Sequence, residues 1–458
     1  MHSYFIQHET QAVPIFRVEV DNFQEWKKGQ TVFIQNWLAT YGAKGKVGEV
    51  LSIPNPDGFM DKVIYVDQRS SHVWDYAGMV CVLKKLVYVL DDSFSDEQAA
   101  LVYLSWGLSA YRYDRYTEKD NDFPRVVVRK GVDIQAIQSQ IESTNLVRDL
   151  INTPANDMGP QELEEAAVDL AKSHKAAIKI IHNEALLEQN YPAVYTVGMA
   201  STRFPRLIDI RWGDPKHKKI TLVGKGVCFD SGGLDIKPAS GMLTMKKDMG
   251  GAAHVLGLAK LIMEARLPIC LRVLIPAVEN SISGQAFRPL DVITMRSGKT
   301  VEVGNTDAEG RLILADALHE ADSEEPALII DFATLTGAAR IAMGLEVGAM
   351  FSNHEDIAEK ILKKSVDVYD PLWRMPLWEG YRGSLKSKVA DLSSTGSSSY
   401  GGAITAALFL SEFLPNKTPW VHLDIMAWNN SSSAGRQEGG EAMGLRALYA
   451  FVQDFIKT

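Results

Sequence analysis

Apolar and polar positions change their period several times along the chain, and each change marks an element. The short apolar runs Ile15–Val20 and Val63–Val66 read as strands. Val80–Leu90 is apolar with two central lysines, as a helix followed by a strand would be. In Glu97–Tyr111, the residues Ala100, Leu101, Leu104, Leu108 and Tyr111 recur at helical spacing. Arg125–Val128, punctuated by Pro124 and Gly131, reads as a buried strand. Nothing in these elements carries obvious chemistry.

A second unit starts near Asp133. Ile134–Ile151 has a helical apolar face that includes Ile141, Leu146, Val147 and Leu150. Asn152–Pro154 ends it, because the residue before a proline is pushed out of the helical region. Gln161–His174 is another helix. Strands and helices then alternate through Ile178–Ile181, Leu207–Arg211, Ile220–Val223, the helix Gly251–Ala265, Leu271–Ala277, the helix Gly310–Ala321, Ala327–Phe332 and Val421–Met426. These strands are almost continuously apolar, as strands covered on both faces are. The expected fold is therefore α/β, with a small N-terminal α/β domain over residues 1–132. A larger C-terminal domain over 133–458 would hold a mostly parallel central sheet covered by helices. The Ser-rich stretch Ser393–Ser399 reads as a site or interface loop rather than a linker, because element signals resume directly after it.

Composition narrows the class. A hydrophobic fraction of 46 % and a charged fraction of 23 % exclude a disordered chain, and 458 residues suffice for a large core. With 48 basic against 57 acidic residues the net charge is -9, which argues against a general nucleic-acid binder. Cys81, Cys228 and Cys270 are few and far apart, so neither a disulfide framework nor a structural zinc site is expected. Reduced cysteines fit a cytoplasmic protein. Met1–Trp26 lacks the basic region and apolar core of a signal peptide, and no run reaches the ~18 apolar residues of a membrane span. Cytoplasmic localisation with no membrane partner is the expectation.

Familiar motifs fail on inspection. The third glycine of a dinucleotide loop after Val223 would fall at Phe229, and a phosphate loop ending Gly298-Lys299-Thr300 would start at Ile293. His319-Glu320 lacks the second histidine of a zincin, since residue 323 is Ser, and Ser231 follows Phe229 where a nucleophile elbow needs glycine.

Polar residues instead concentrate at strand ends in two segments. One runs from Thr221 through Lys225, Asp230 and Lys237 to Asp248 and Gly251; the other is Asn305–Leu312. Ligands in α/β sheets bind beyond the carboxyl ends of strands. Taken singly, each aspartate reads as a helix cap, Lys225 as a solvated loop lysine and Arg311 as a surface residue. Jointly, Asp230, Asp248, Asp307 and Glu309 would repel one another in a dry cleft unless divalent cations joined them. Neither segment contains histidine, so a His-dominated zinc site is not expected.

The octapeptide Asn-Thr-Asp-Ala-Glu-Gly-Arg-Leu at 305–312 resembles the hallmark of the leucine aminopeptidase (cytosol aminopeptidase) family at all eight positions. Val-Gly-Lys-Gly-x-x-Phe-Asp-Ser-Gly-Gly at 223–233, Ile-Lys at 236–237 and Lys-Asp-Met-Gly-Gly-Ala-Ala at 247–253 also resemble it, in the family's order. So do 152–156, 333–337 and 420–425, and the likeness covers about residues 145–458. Leu243 stands where relatives often carry an Asp, a departure at a position with no ligand role.

The resemblance implies a metal-dependent exopeptidase that removes N-terminal residues, with leucine-type residues favoured. By matching position, Lys225, Asp230, Asp248 and Glu309 would hold one divalent ion, zinc or manganese. Asp230, Asp307 and Glu309 would hold a second, and Lys225 would have to be neutral as a ligand. Lys237 would polarise the scissile carbonyl. Arg311, with backbone groups of Gly310 and Leu335, would hold a bicarbonate acting as general base. Met245, Thr334 and Gly337 would line the pocket for the N-terminal side chain. The resemblance also implies a homohexamer.

Overall fold

A computed structural model of the chain describes residues 4–68, 72–117 and 122–457. The chain forms two compact units, Met1–Asn145 with Ser431–Glu438, and Leu146–Asn430 with Gly439–Thr458. The boundary in sequence, between Asn145 and Leu146, falls inside the helix Ile134–Asn152.

The first unit is built on a six-stranded sheet in the order Phe5–Ile6, Arg125–Val127, Val87–Leu90, Val13–Glu19, Met60–Asp67, Val50–Pro54. All its pairings are parallel except the last. Helices Val73–Val82 and Asp96–Ala110 bury Tyr76, Tyr103 and Trp106 in one cluster with Ile15 and Tyr88 from the sheet. Ser95 starts the second helix by accepting from the Gln98 amide, while the Gln98 side chain accepts from the Ser95 amide. Helix Val32–Tyr41 supplies Ile34 and Leu38 to a separate small cluster. Its apolar residues Val32, Phe33, Trp37 and Tyr41 stay exposed, so its sequence shows no clean core-facing stripe.

The second unit holds a nine-stranded sheet. Its strands are β1 (Ala177–His182), β2 (Arg206–Trp212), β3 (Lys218–Gly224), β4 (Gly226–Asp230), β5 (Ile269–Asn280), β6 (Leu328–Ala333), β7 (Gly348–Ser352), β8 (Leu372–Arg374) and β9 (Trp420–Asp424). The order is β8-β7-β9-β6-β3-β5-β2-β1, with β4 pairing the far half of β5. The centre, β9-β6-β3-β5, is entirely parallel. Antiparallel pairings occur where β7 meets β9 and where β2 meets β5 and β1.

Neighbouring residues on β6 point to opposite faces, as the two-residue strand period requires. Ile330 and Phe332 join a cluster with Val255, Leu256 and Phe451; Ile329 and Ala333 join another with Leu312, Ile313 and Phe409. Both faces are covered, chiefly by helices α1 (Gly250–Glu264) and Leu445–Phe455 on one side and α2 (Glu309–Asp322) and Gly402–Ser411 on the other.

The strand β4 was not expected. Gly224 and Gly226 interrupt the β3 run at Lys225, and β5 continues to Asn280 because its first half pairs β3 and its second half β4. The interruption leaves Lys225 at the carboxyl end of β3, its amide still donating to the Phe332 carbonyl of β6 at 3.0 Å.

Candidate metal centre

Several candidate residues sit at or just beyond the carboxyl ends of strands of this sheet. Lys225 follows β3, Asp230 ends β4, Thr334 and Leu335 follow β6, and Asp424 ends β9. Asp248 lies on the turn Met245–Met249 that leads into α1, and Glu309 begins α2. Two glycines make this convergence possible. A Cβ on Gly251 would lie 2.0 Å from the Phe332 carbonyl oxygen, and one on Gly310 would lie 2.4 Å from Lys225 Cε. α1 and α2 therefore approach the strand ends closely only because these positions lack side chains.

The five residues expected to bind metal come together. Lys225 Nζ lies 2.8 Å from Asp248 Oδ2 and 3.0 Å from Glu309 Oε1, and donates to the Thr334 carbonyl at 3.1 Å. Lys237 Nζ lies 2.8 Å from Asp230 Oδ2 and also donates to Asp307. Asp230, Asp307 and Glu309 each present a carboxylate oxygen within 4.8 Å of the others. Asp230 Oδ1 accepts from the Gly232 amide at 2.9 Å and from Asn280 Nδ2 at 2.8 Å, which aims Oδ2 at the cluster. Thr334 Oγ1 donates to Asp248 Oδ1 at 2.7 Å.

The electrostatics favour added positive charge. Burial, then the neighbouring Asp230, pushes the Glu309 carboxyl well above the usual range. The same two causes push Asp307 up to about 6. Glu309 Oε2 is buried and makes no hydrogen bond, while Glu309 Oε1 and Asp248 Oδ2, equally buried, face the Lys225 ammonium. Burial alone would lower Lys225, but Asp248, Glu309 and Asp230 together hold it above the ordinary lysine value. Four buried or half-buried carboxylates against two ammonium groups is a donor set suited to hard divalent cations. The residues present therefore fit the metal centre that their chemistry implies.

A cavity of about 330 Å³ opens on this cluster. It is lined by Lys225, Asp230, Lys237, Asp248, Asp307, Arg311 and Leu335, and also by Met245, Thr334 and Gly337. Arg311 is held by the Ser394 carbonyl at 2.7 Å, its Nε makes no hydrogen bond, and burial lowers it to about 10. The Ser-rich loop thus reaches the site. Gly310 is buried against the Lys225 side chain, and the Leu335 amide donates to Asp424 Oδ1 at 2.9 Å. Cys228 is fully buried with Sγ 3.7 Å from the Gly226 carbonyl, a packing position, and all three cysteines are free.

Some residues of the site carried no assigned role in the sequence. Asp424 accepts from the amides of Leu335 and Thr336 and from Thr336 Oγ1, and so fixes the turn after β6. Asn280 orients Asp230 from the end of a strand that looked purely structural. Lys247 is buried beside Asp248 and lines the cavity; burial lowers it to about 8. Asp424 and Lys247 lay within segments that resemble the family, whereas Asn280 had no local signal.

Among the described residues no helix is long and apolar enough to cross a membrane. The chain matches the catalytic domain of the cytosol aminopeptidase family over residues 145–449 and the M17 aminopeptidase N-terminal domain over 13–129. It is 42 % identical over 359 residues to a probable cytosol aminopeptidase of Syntrophotalea carbinolica, covering 74 % of this chain and 72 % of that one. A probable cytosol aminopeptidase of Sinorhizobium fredii is 38 % identical over 442 residues, or 89 % of this chain and 88 % of its own. The crystal structure of the cytosol aminopeptidase from Coxiella burnetii superposes with a TM-score of 0.94 at 45 % identity, covering 98 % of this chain and 99 % of that one. The bottromycin maturation enzyme BotP in complex with Mn superposes at 0.87 with 30 % identity, over 97 % and 99 %. The convergence of carboxylates and lysines at the sheet's carboxyl edge and these matches lead to one conclusion: the chain belongs to the cytosol aminopeptidase family, metal-dependent exopeptidases that hydrolyse the N-terminal bond of peptides.

Proposed function

We propose that the chain is a two-metal aminopeptidase with a leucine-type preference, acting in the cytoplasm as a homohexamer. The observation that carries this reading is the cluster itself. Lys225 meets Asp248 and Glu309, Lys237 meets Asp230 and Asp307, and carboxylate oxygens of Asp230, Asp307 and Glu309 lie within 4.8 Å of one another. Lys225, Asp230, Asp248 and Glu309 would hold one ion, and Asp230, Asp307 and Glu309 would hold the second. Bound zinc or manganese supplies a water acidic enough to act as nucleophile near neutral pH. As a ligand Lys225 would have to be neutral.

Lys237 keeps its proton, since Asp230 and Asp307 outweigh its burial, and it polarises the scissile carbonyl. Arg311, whose planar fork suits a planar oxyanion, holds a bicarbonate as general base, with Gly310 and Leu335 beside it. Met245, Thr334 and Gly337 receive the N-terminal side chain, and the apolar neighbours Val347, Ile425 and Met426 suit a leucine-type residue.

Metal content and activity are measured together on the purified protein. Two divalent ions per chain, loss of aminopeptidase activity with chelator and recovery with Mn or Zn are expected. Full activity in Asp307→Ala and Glu309→Ala proteins overturns the site assignment. A light-scattering mass near that of one chain overturns the hexamer.

A further inference from the structure

Lys247 is 4 % exposed and lines the cavity, yet its ammonium has no hydrogen-bond or ion-pair partner among the described residues. A lysine this buried normally has a partner. The adjacent Lys246 does: its Nζ donates to the Asn152 carbonyl at 2.5 Å and lies over the Trp428 ring. The acids near Lys247 are committed elsewhere. Asp248 is bound to Lys225 and Thr334, and Asp424 accepts from Leu335 and Thr336. Arg340, another cation that lines the cavity, offers only donors.

The Lys247 ammonium is therefore hydrated only through the cavity. A substrate side chain that fills the cavity displaces that water. It must then present an acceptor, or leave a buried charge bare at a cost. Met245, which begins the same turn, lines the cavity too. We propose that Lys247 is a specificity residue of the side-chain pocket, donating to an oxygen at the end of the substrate's N-terminal side chain. Glutamine- and glutamate-type N-termini are thereby accepted beside the apolar residues Met245, Val347 and Met426 of the same cavity. This inference rests on reading Met245, Thr334 and Gly337 as that pocket.

The test uses the manganese-loaded full chain and dipeptides with N-terminal Gln, Glu or Met, three side chains of similar length. In Lys247→Met protein the Gln:Met and Glu:Met ratios of kcat/KM fall by about tenfold or more. In Lys247→Gln protein the Glu:Met ratio falls and the Gln:Met ratio is kept. Ratios in Lys247→Met that stay within about threefold of the parent overturn the proposal. Should that variant fail to fold, as judged by circular dichroism, an unchanged Glu:Met ratio in Lys247→Gln overturns it equally. Met245→Ala separates the two levels of the argument. If it leaves every side-chain preference unchanged, the pocket reading falls and this inference with it. If it shifts them while Lys247→Met does not, only the role of Lys247 falls.

Discussion

Gly310→Ala adds one methyl group to the first turn of α2, and the structure assigns that methyl a specific collision. Its Cβ would stand 2.4 Å from Lys225 Cε, 2.7 Å from Nζ and 2.8 Å from Cδ. Ordinary contact begins near 3.4 Å, so the Lys225 tip must retreat by about 1 Å. The lysine stem is flexible, which keeps the cost to folding small. Overpacking of about 1–3 kcal/mol is partly offset by up to about 1 kcal/mol from replacing glycine by alanine in a helix.

The consequence for chemistry is larger. Lys225 Nζ sits between Asp248, Glu309 and the Thr334 carbonyl, and all three contacts are set by its present position. A displacement of about 1 Å at a reacting centre costs about a hundredfold in rate. The expected outcome is a folded protein, with an unfolding midpoint within a few degrees of the parent, whose kcat/KM on a leucyl peptide is down about a hundredfold. Metal content per chain, measured on the same sample, falls as well. Parent-like activity and metal content would show that the placement of Lys225 is immaterial, and would refute the reasoning.

Other consequences follow from buried charge and hydrogen bonding. His254 donates from Nδ1 to the Gly250 carbonyl and accepts from the Met443 amide at Nε2; burial lowers it to about 4. Between about 6.5 and 4 the unfolded chain binds the extra proton, so stability falls as pH falls, by about 2 kcal/mol between pH 7.5 and 5. Urea unfolding at both pH values should show a smaller drop in His254→Gln than in the parent. Arg148 and Glu441 form a two-pronged ion pair with both bonds at 3.0 Å, almost wholly buried. Glu441→Ala removes the carboxylate of this buried pair and should cost about 3–5 kcal/mol by denaturant titration; a loss below about 1 kcal/mol would contradict this. Asp424→Ala releases the Leu335 and Thr336 amides beside the cavity. It should lower kcat more than tenfold while the ions remain bound, and unchanged kcat would remove Asp424 as a positioning residue.

The elements legible in the sequence were those with a clean period or a clean apolar run. Ile220–Val223 and Ala327–Phe332 read as doubly covered strands because alternate residues fill two different cores. The helix Glu355–Asp367, with Ile357, Ala358 and Ile361 buried at helical spacing, has an equally clean stripe. Helix Val32–Tyr41 does not, because its exposed aromatic residues break the stripe. β4 was hidden by Gly224 and Gly226, which look like a loop but also allow a strand to shift from one neighbour to another.

By itself the sequence determined the kind of chemistry. Four acidic side chains and two lysines cannot be buried near one another without cations, and the octapeptide at 305–312 ties them to one family. Their types and spacing state which groups the site contains. Only the tertiary structure decided which atoms face each other. Hydrogen bonds from Asn280 and Gly232 turn Asp230 toward the cluster, and Asp424 fixes the turn that carries Leu335. Lys246 and Lys247 are neighbours of identical type, yet one finds a carbonyl and the other a cavity. Contacts between residues far apart in the chain depend on strand register and helix approach, and these are settled only when the whole sheet packs.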